Sequence, residues 1–481
     1  MSLSLLTDLY QLTMAYGYYK TGIANRRAVF HLFFRRHPFQ GNYTIACGLQ
    51  QAIDYLREFR FCPDDIAYLN TLCGNDQQHL FNDDFLDYLT QFQVTATMHA
   101  LPEGTLAMPH LPLLRIEGTL IEAQLFETTL LNILNFQTLI ATKAARICRA
   151  AGKDQVLEFG LRRAQGIDGS LSASRAAFVG GCAATSNVLA GKKYGIPVRG
   201  THAHSWVMSF DTEEEAFEQY AKAMPNNCVF LVDTYNTLNG VKNAIKVGKK
   251  IQNKGYQLAG IRLDSGNLAQ LSIEARKMLD QAGFPNTQIV ASNDLDEHAI
   301  TELKQQNACI AVWGVGTRLV TAYDQPALGG VYKLGAIQNE QQQWQYRIKR
   351  SETPIKTSNP GKLQIRRFFH PNGQIAADVL YDEIATEQDL NNTPQIGEQA
   401  IDFDGKPFLI QGTSHADLLQ VVFEQGKIYP YPNLHEIRQF AQTQLNAFDT
   451  QKPYPYGLAK KLYELKCNII ATTGAVIDMP N

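Results

Sequence analysis

The chain has 481 residues, of which 45% are hydrophobic and 19% charged, ordinary globular proportions that exclude wholesale disorder, collagen-like repeats and low-complexity fibres. At about 150 residues per domain, this length predicts roughly three domains, or two if one of them is a large barrel. Lys plus Arg (44) against Asp plus Glu (46) leaves a formal charge of −2, so no global field draws nucleic acid or an anionic membrane, and any anionic ligand must be held by a local site.

The opening stretch MSLSLLTDLYQ has no Lys or Arg before Lys20 and is broken by Asp8 and Gln11, unlike a secretion signal. No apolar run approaches the roughly 18 residues of a membrane span. Eight cysteines, at 47, 62, 73, 148, 182, 228, 309 and 467, form no CxxC pair and predict free thiols in a cytoplasmic protein.

In chain order, TDLYQLTMAYGYY predicts an exposed or intersubunit helix, on which pattern alone makes Tyr10 a packing residue. RAVFHLFF (27–34) reads as a strand, 48–60, 63–72 and 82–91 as short helices, and 93–99 and 111–121 as strands. From Leu157 to Gly316 a short apolar run, a polar tip and a helical segment alternate. The runs are 156–160, 182–186, 197–202, 228–233, 258–264, 287–292 and 309–314; stretches 213–224, 238–254 and 267–282 show helical spacing between them. Six or seven such units favour a parallel (β/α) barrel over an open sheet. Beyond Gly329, GGVYKL, WQYRIKR, GKLQIRRFF and QIAADVLYD read as antiparallel strands, 338–345 and the acidic 382–399 as exposed loops, and 434–445 as a helix.

Polar residues collect at the ends of the barrel runs, which is the rim where active sites of this architecture lie. GVGT (314–317) offers two glycines and the Thr317 hydroxyl to a phosphate, without the Lys of a P-loop. In GIRLDSGNL (260–268), Arg262 and Asp264 share one face: the guanidinium suits a carboxylate or phosphate, and the carboxylate suits ribose hydroxyls or Mg²⁺, although a rim salt bridge uses the same pair. Ser265 and Gly266 shorten the following turn like a ligand loop. THAHSW (201–206) carries His202 and His204; no nearby Cys or His completes a zinc site, and a single functional or structural imidazole remains. EFGLRRAQGIDG (158–169) places Phe159 to stack on a flat ring and Arg162 to meet a negative substituent; a core Phe before a basic helix start gives the same pattern. Lys356 and GKLQIRRF (361–368) suit either a phosphate reached in an assembled dimer or an exposed basic strand.

Together the segments TDLYQLTMA (7–15), FHLFFRRHPF (30–39), EFGLRRAQG (158–166), GTHAHSW (200–206), VDTYNT (232–237), IRLDSGNL (261–268), SNDLDE (292–297), GVGT (314–317) and LGGVYKL (328–334) resemble the nicotinate phosphoribosyltransferase family, in the same order over most of the chain. The resemblance implies an α/β protein of the type II phosphoribosyltransferase fold: an irregular (β/α) barrel at 139–335, beside an open-faced α/β sandwich built from 1–138 and 336–481. It implies a cytoplasmic homodimer with shared active sites. The implied reaction moves phosphoribose from phosphoribosyl pyrophosphate to the ring nitrogen of nicotinate, giving nicotinate mononucleotide and pyrophosphate for NAD biosynthesis. The resemblance further implies Mg²⁺ as cofactor and ATP hydrolysis through a phosphohistidine, which places such enzymes formally among the ligases.

By position, the phosphorylated residue resembles His204, while His202 falls at a variable site of the motif and is assigned no chemistry. Tyr10 of one subunit and Phe159 of the other resemble the stacking faces for the pyridine. Thr201 and Arg262 resemble the carboxylate contacts, and Gly316 with Thr317 the ligand of the ribose phosphate. Asp264 resembles the residue holding ribose hydroxyls or the metal-pyrophosphate unit. The resemblance also implies that Ser292 and Asn293 line the phosphoribose pocket and that Gly160, Arg162 and Ser265 complete the substrate-binding set. No resident metal site is expected, Mg²⁺ arriving with the pyrophosphate and meeting at most Asp264.

The nearest rival is a nicotinamide phosphoribosyltransferase, whose amide would favour an acidic partner; CAATSN (182–187) supplies Thr185, Ser186 and Asn187 but no carboxylate. A quinolinate enzyme would call for a denser basic cluster. A catalytically silent nucleotide-binding barrel is disfavoured by the intact set of His204, Arg262, Asp264 and Thr317.

Overall fold

The computed structural model describes residues 3–472 and 476–478. The chain divides into two compact units, one spanning Leu139–Pro326 and the other combining Met1–Thr138 with Ala327–Asn481. The expected barrel boundary at residue 335 moves back because the Gly330–Gln338 strand pairs antiparallel with Arg27–Phe34 and so belongs to the second unit. Residues 1, 2, 473–475 and 479–481 of the expected sandwich segments lie outside the described residues.

The Leu139–Pro326 unit is built on a parallel sheet whose strands run in the order Ala184–Thr185, Gln155–Glu158, Val312–Val315, Gln288–Ser292, Gly260–Leu263 and Val229–Leu231. The last strand in sequence pairs with the first, Val312 opposite Gln155 through Val315 opposite Glu158, so the spatial order follows the chain around a circle. That is the order of an irregular β/α barrel, and a single parallel bridge from Val198 to Thr185 extends it on one side. Among the described residues no strand pairing joins the 197–199 backbone to Val229–Leu231. There the Leu231 N–H, on the free edge of its strand, donates to His202 Nε2 at 3.2 Å. The run expected over 197–202 is thus reduced to one bridge and a histidine strut.

The second unit has an eight-stranded antiparallel sheet with Leu114–Thr119, Arg27–Phe34 and Gly330–Gln338 at its middle, and a six-stranded mixed sheet containing Ile375–Asp382 and Leu363–Phe369. Buried charge ties the N-terminal and C-terminal parts together. Arg115, fully buried, pairs with Glu117 at 2.8 Å and Glu383 at 2.9 Å and donates to the Leu363 carbonyl at 2.9 Å. His31 Nε2 accepts from Leu363 N at 3.1 Å. Arg367 pairs with Asp378 at 2.7 Å, both side chains 1% exposed, and donates to the Leu106 carbonyl at 2.6 Å.

These pairs correct both readings of GKLQIRRF. Lys362 meets Glu117 at 3.1 Å, Arg366 grips Asp417 through two 2.8 Å bonds and Arg367 is buried, so the stretch is neither an exposed basic strand nor a free phosphate grip; Lys356 alone is exposed. The acidic 382–399 segment is likewise no simple loop, since Asp382 is buried and caps a helix over Glu383–Gln388.

Two outcomes follow from this burial. Asp378→Ala strands the Arg367 guanidinium in the interior and is expected to cost about 3–5 kcal/mol, read as a lowered urea midpoint; an unchanged midpoint would contradict the pairing. Burial pushes His202, His37, His99 and His110 down from 6.5 to about 4, with Arg262 and His204 adding to the effect at His202. Above pH 6.5 these rings are neutral folded and unfolded; between 6.5 and 4 the unfolded chain binds protons that the folded one refuses. Stability is therefore expected to be flat above pH 6.5 and to fall on acidification by up to about 1.4 kcal/mol per pH unit for each ring. Urea midpoints at pH 7.5 and 5.5 test this, and a higher midpoint at 5.5 would refute it.

Candidate active site

Each barrel strand ends in a polar tip, and the tips are shaped by the helices that follow. Asn187, Asn236, Asn267 and Asp296 cap their helices by accepting backbone N–H bonds at 3.2, 3.0, 3.1 and 2.8 Å. A side-chain oxygen at the cap satisfies an N–H that the first turn leaves free, which makes Asn and Asp preferred there. The residues between strand and cap are held in short loops facing the rim, and they include most of the predicted site.

Arg262, at the end of Gly260–Leu263, is the hub. Its Nε donates to Ser292 Oγ at 2.8 Å, Nη1 to Thr201 Oγ1 at 3.1 Å and Nη2 to Asp264 Oδ1 at 3.0 Å. A guanidinium has five N–H donors, so three bonds leave one N–H on each Nη, enough for both oxygens of a carboxylate. The guanidinium carbon lies 5.7 Å from the centre of the Phe159 ring. Phe159 is half-buried and its edge rests on Gly314, where an added Cβ would come within 2.7 Å of the ring. A flat cation-lined face thus sits beside an unfilled guanidinium fork.

Asp264 Oδ1 also accepts from Ser292 Oγ, while Oδ2 faces His204 Nε2 at 3.7 Å. Burial raises the Asp264 pKa, but the Ser292 hydrogen bond and the charges of Arg262 and His204 outweigh it, leaving the carboxyl below its ordinary value and ionised. His204 starts the short His204–Met208 helix; its Nδ1 meets Thr234 Oγ1 at 3.1 Å and its side chain is 41% exposed. Asp233 Oδ2 accepts from Asp264 N at 2.8 Å and Ser265 Oγ at 2.6 Å, whereas its Oδ1 is buried with no hydrogen-bond partner among the described residues. Among the described residues Asp233 Oδ1 is thus left without a hydrogen-bond donor, and Asp264 Oδ2 has His204 Nε2 at 3.7 Å as its ion-pair partner.

The remaining tips carry unusual backbone. Ser292 is buried, but the exposed Asn293 has φ +118° and Asp294 φ +25°, conformations that non-glycine residues adopt only when the surroundings impose them. Gly316 precedes the Thr317–Val320 turn and lies against the Phe159 carbonyl, 3.2 Å from where its own Cβ would be. Arg318 binds Asp296 at 2.9 Å, joining the GVGT tip to the SNDLDE tip.

The structure brings Phe159, Thr201, His204, Arg262, Asp264, Ser265 and Ser292 into one bonded or stacked network, with Gly160 and Gly316 packed at its Phe159 edge. Arg162 is exposed on the Leu161–Arg163 turn. Tyr10 belongs to the other unit, exposed on the Leu9–Lys20 helix. Thr317 is half-buried at the tip.

Two further residues at the strand tips carry no individual assignment from the sequence. One is Asp233, present there only within the VDTYNT segment (232–237). The other is Glu158, 1% exposed, whose carboxylate accepts from Gly160 N, from Ser174 Oγ at 2.8 Å and from Thr185 Oγ1 at 2.5 Å. This corrects the argument built on CAATSN: Thr185 and Asn187 are buried, Asn187 Nδ2 reaching Ser174 Oγ at 3.3 Å, and a carboxylate does stand beside them. They brace the Phe159 tip from behind. Among the described residues no group of three or more His, Cys, Asp or Glu side chains forms a metal cage.

Comparison with known proteins accounts for this arrangement. Residues 5–135 match the nicotinate phosphoribosyltransferase N-terminal domain model, 155–369 the nicotinate phosphoribosyltransferase family model and 362–466 the C-terminal domain model. The chain is 46% identical over 452 residues to a nicotinate phosphoribosyltransferase of Bacillus subtilis, covering 92% of this chain and 89% of that one. It is 36% identical over 502 residues to the Homo sapiens protein of the same name, covering 92% and 90%. The crystal structure of human nicotinic acid phosphoribosyltransferase superposes with a TM-score of 0.82 at 32% identity, covering 96% of this chain and 99% of that one. The chain belongs to the nicotinate phosphoribosyltransferase family.

Proposed function

We propose that this enzyme transfers phosphoribose from phosphoribosyl pyrophosphate to nicotinate, making nicotinate mononucleotide and pyrophosphate for NAD biosynthesis. The observation that carries the reading is the Arg262 fork beside Phe159. Phe159 supplies a face for the pyridine ring, the two free guanidinium N–H bonds and Thr201 receive its carboxylate, and the ring nitrogen is left to attack the anomeric carbon. The C–N bond forms as the C–O bond to pyrophosphate breaks, through an oxocarbenium-like state, so catalysis rests on positioning and on screening charge. Gly316 and Thr317 take the ribose phosphate, with Ser292 and Asn293 along the sugar. Nicotinamide offers the two guanidinium N–H groups one acceptor oxygen where nicotinate offers two and a negative charge, and the reading therefore favours the acid.

Asp264 and Asp233 fit Mg²⁺, a cation that prefers oxygen ligands and retains phosphate and water partners. Their carboxylates would hold an ion carried by the pyrophosphate, where Mg²⁺ would neutralise the leaving group. ATP hydrolysis is coupled through phosphorylation of His204, a reading supported by the exposure of its ring and by its placement between Thr234 and Asp264. We also infer a homodimer in which Tyr10 completes the partner's pyridine site; exposed Leu3, Leu6, Leu9 and Met14 beside Tyr10 support a covered face. All eight cysteines are free, in keeping with a cytoplasmic setting, and among the described residues no helix is long and apolar enough to cross a membrane.

The purified enzyme should form mononucleotide from nicotinate, phosphoribosyl pyrophosphate and Mg²⁺, faster with ATP; preferential turnover of nicotinamide would overturn the assignment. Arg262→Lys keeps charge but loses the fork, and KM for nicotinate should rise roughly 10- to 100-fold. His204→Ala should retain basal turnover while losing the ATP stimulation, and stimulation that persists would remove His204 from the coupling step.

A further inference from the structure

His202 is the one histidine of the THAHSW segment without a role in the proposed chemistry, yet it is 7% exposed and packed among aromatic rings. The centres of Tyr220, Phe217 and Phe230 lie 4.9, 6.0 and 6.4 Å away. Its position coincides with the break in the barrel. Val229–Leu231 pairs on one side with Gly260–Arg262, and the Val232 N–H turns towards that neighbour, donating to the Arg262 carbonyl at 3.2 Å. Alternate amides of a strand point to opposite sides, so the Leu231 N–H points into the gap. A buried N–H there needs an acceptor, and the one it finds is His202 Nε2 at 3.2 Å. Accepting at Nε2 fixes the proton on Nδ1, which faces the Ala203 carbonyl at 3.4 Å.

We propose that His202 is a positioning residue for the reaction: its imidazole replaces the missing strand pairing and holds two halves of the active site in register. One half is carried by its own segment, Thr201 on one side and His204 two residues on. The other is carried by the tip after Val229–Leu231, which supplies Asp233 and Thr234. Across the strut, Thr201 Oγ1 takes the Arg262 bond at 3.1 Å, His204 Nδ1 meets Thr234 Oγ1 at 3.1 Å and Asp233 holds the Asp264 backbone at 2.8 Å. Trp206 Nε1, bonded to the Ala216 carbonyl at 3.0 Å, anchors the far end of the same segment, so the imidazole is the link nearest the substrate-facing groups. The kinetic part of this inference rests on the carboxylate seat proposed above; the strut itself does not.

The test compares three variants. His202→Gln places an amide oxygen near the position of Nε2, His202→Asn stops short of it, and His202→Phe keeps the ring without an acceptor. Hydrogen exchange of the Leu231 amide in the full-length protein should stay slow in wild type and His202→Gln and quicken about tenfold or more in the other two. KM for nicotinate should rise roughly tenfold in His202→Phe and His202→Asn, and recover in His202→Gln. Unchanged Leu231 protection in His202→Asn or His202→Phe would overturn the strut. Lost protection with unchanged KM, or a glutamine variant no better than phenylalanine, would overturn its positioning role. Should the phenylalanine variant not fold, the Asn and Gln pair gives the same comparison. An enzyme inactive on nicotinate would refute the proposed function instead, leaving the exchange result to decide the strut.

Discussion

The parallel pairing of Gln155–Glu158 with Val312–Val315 is the constraint from which the site follows. It joins chain segments about 157 residues apart, closes the circular strand order and sets Phe159 against Gly314. Parallel neighbours demand crossovers, and each crossover helix begins at a cap close behind a strand tip. The tips are therefore gathered on one rim, and the residues at those tips need only be of the right kind to meet. Glycine at 314 is required by the same pairing, since the ring occupies the place of a side chain.

Within that rim, Arg262 converts separate tips into one electrostatic unit. Three of its donors are spent on Ser292, Thr201 and Asp264, which fixes the plane of the guanidinium and leaves two N–H groups for a further acceptor. Such preorganisation is what charge stabilisation in an active site requires, because the dipoles are aligned before the reactants arrive. Asp264 is held ionised by the same bonds, and Asp233 holds the Asp264 backbone in turn. His204 stands at the edge of this unit, where a change in its charge would be felt by Asp264 first.

The sequence made the alternation of strands and helices legible, together with the motif-borne residues, because strand tips and caps leave local signatures: Gly, Asn and Asp at fixed places after apolar runs. It did not reveal residues whose importance depends on what a distant segment brings. Glu158 looks like one more strand residue until Ser174 and Thr185 surround it. His202 gains meaning only from the gap opposite Leu231. The basic stretch at 361–368 misleads for the same reason, since its counter-charges Glu117, Asp378 and Asp417 lie on other strands. The compact unit ends at Pro326 rather than near residue 335 because the strand beginning at Gly330 follows the last barrel unit in sequence but pairs with residues near the N-terminus.

The most direct test of the account is a crystal structure of the enzyme with nicotinate bound. The account predicts the carboxylate on the two free N–H groups of Arg262 and on Thr201, with the pyridine ring against Phe159 and its nitrogen turned towards the Asp264 side of the rim. A ring bound elsewhere, with its carboxylate on Arg162 and the Arg262 fork empty, would contradict it.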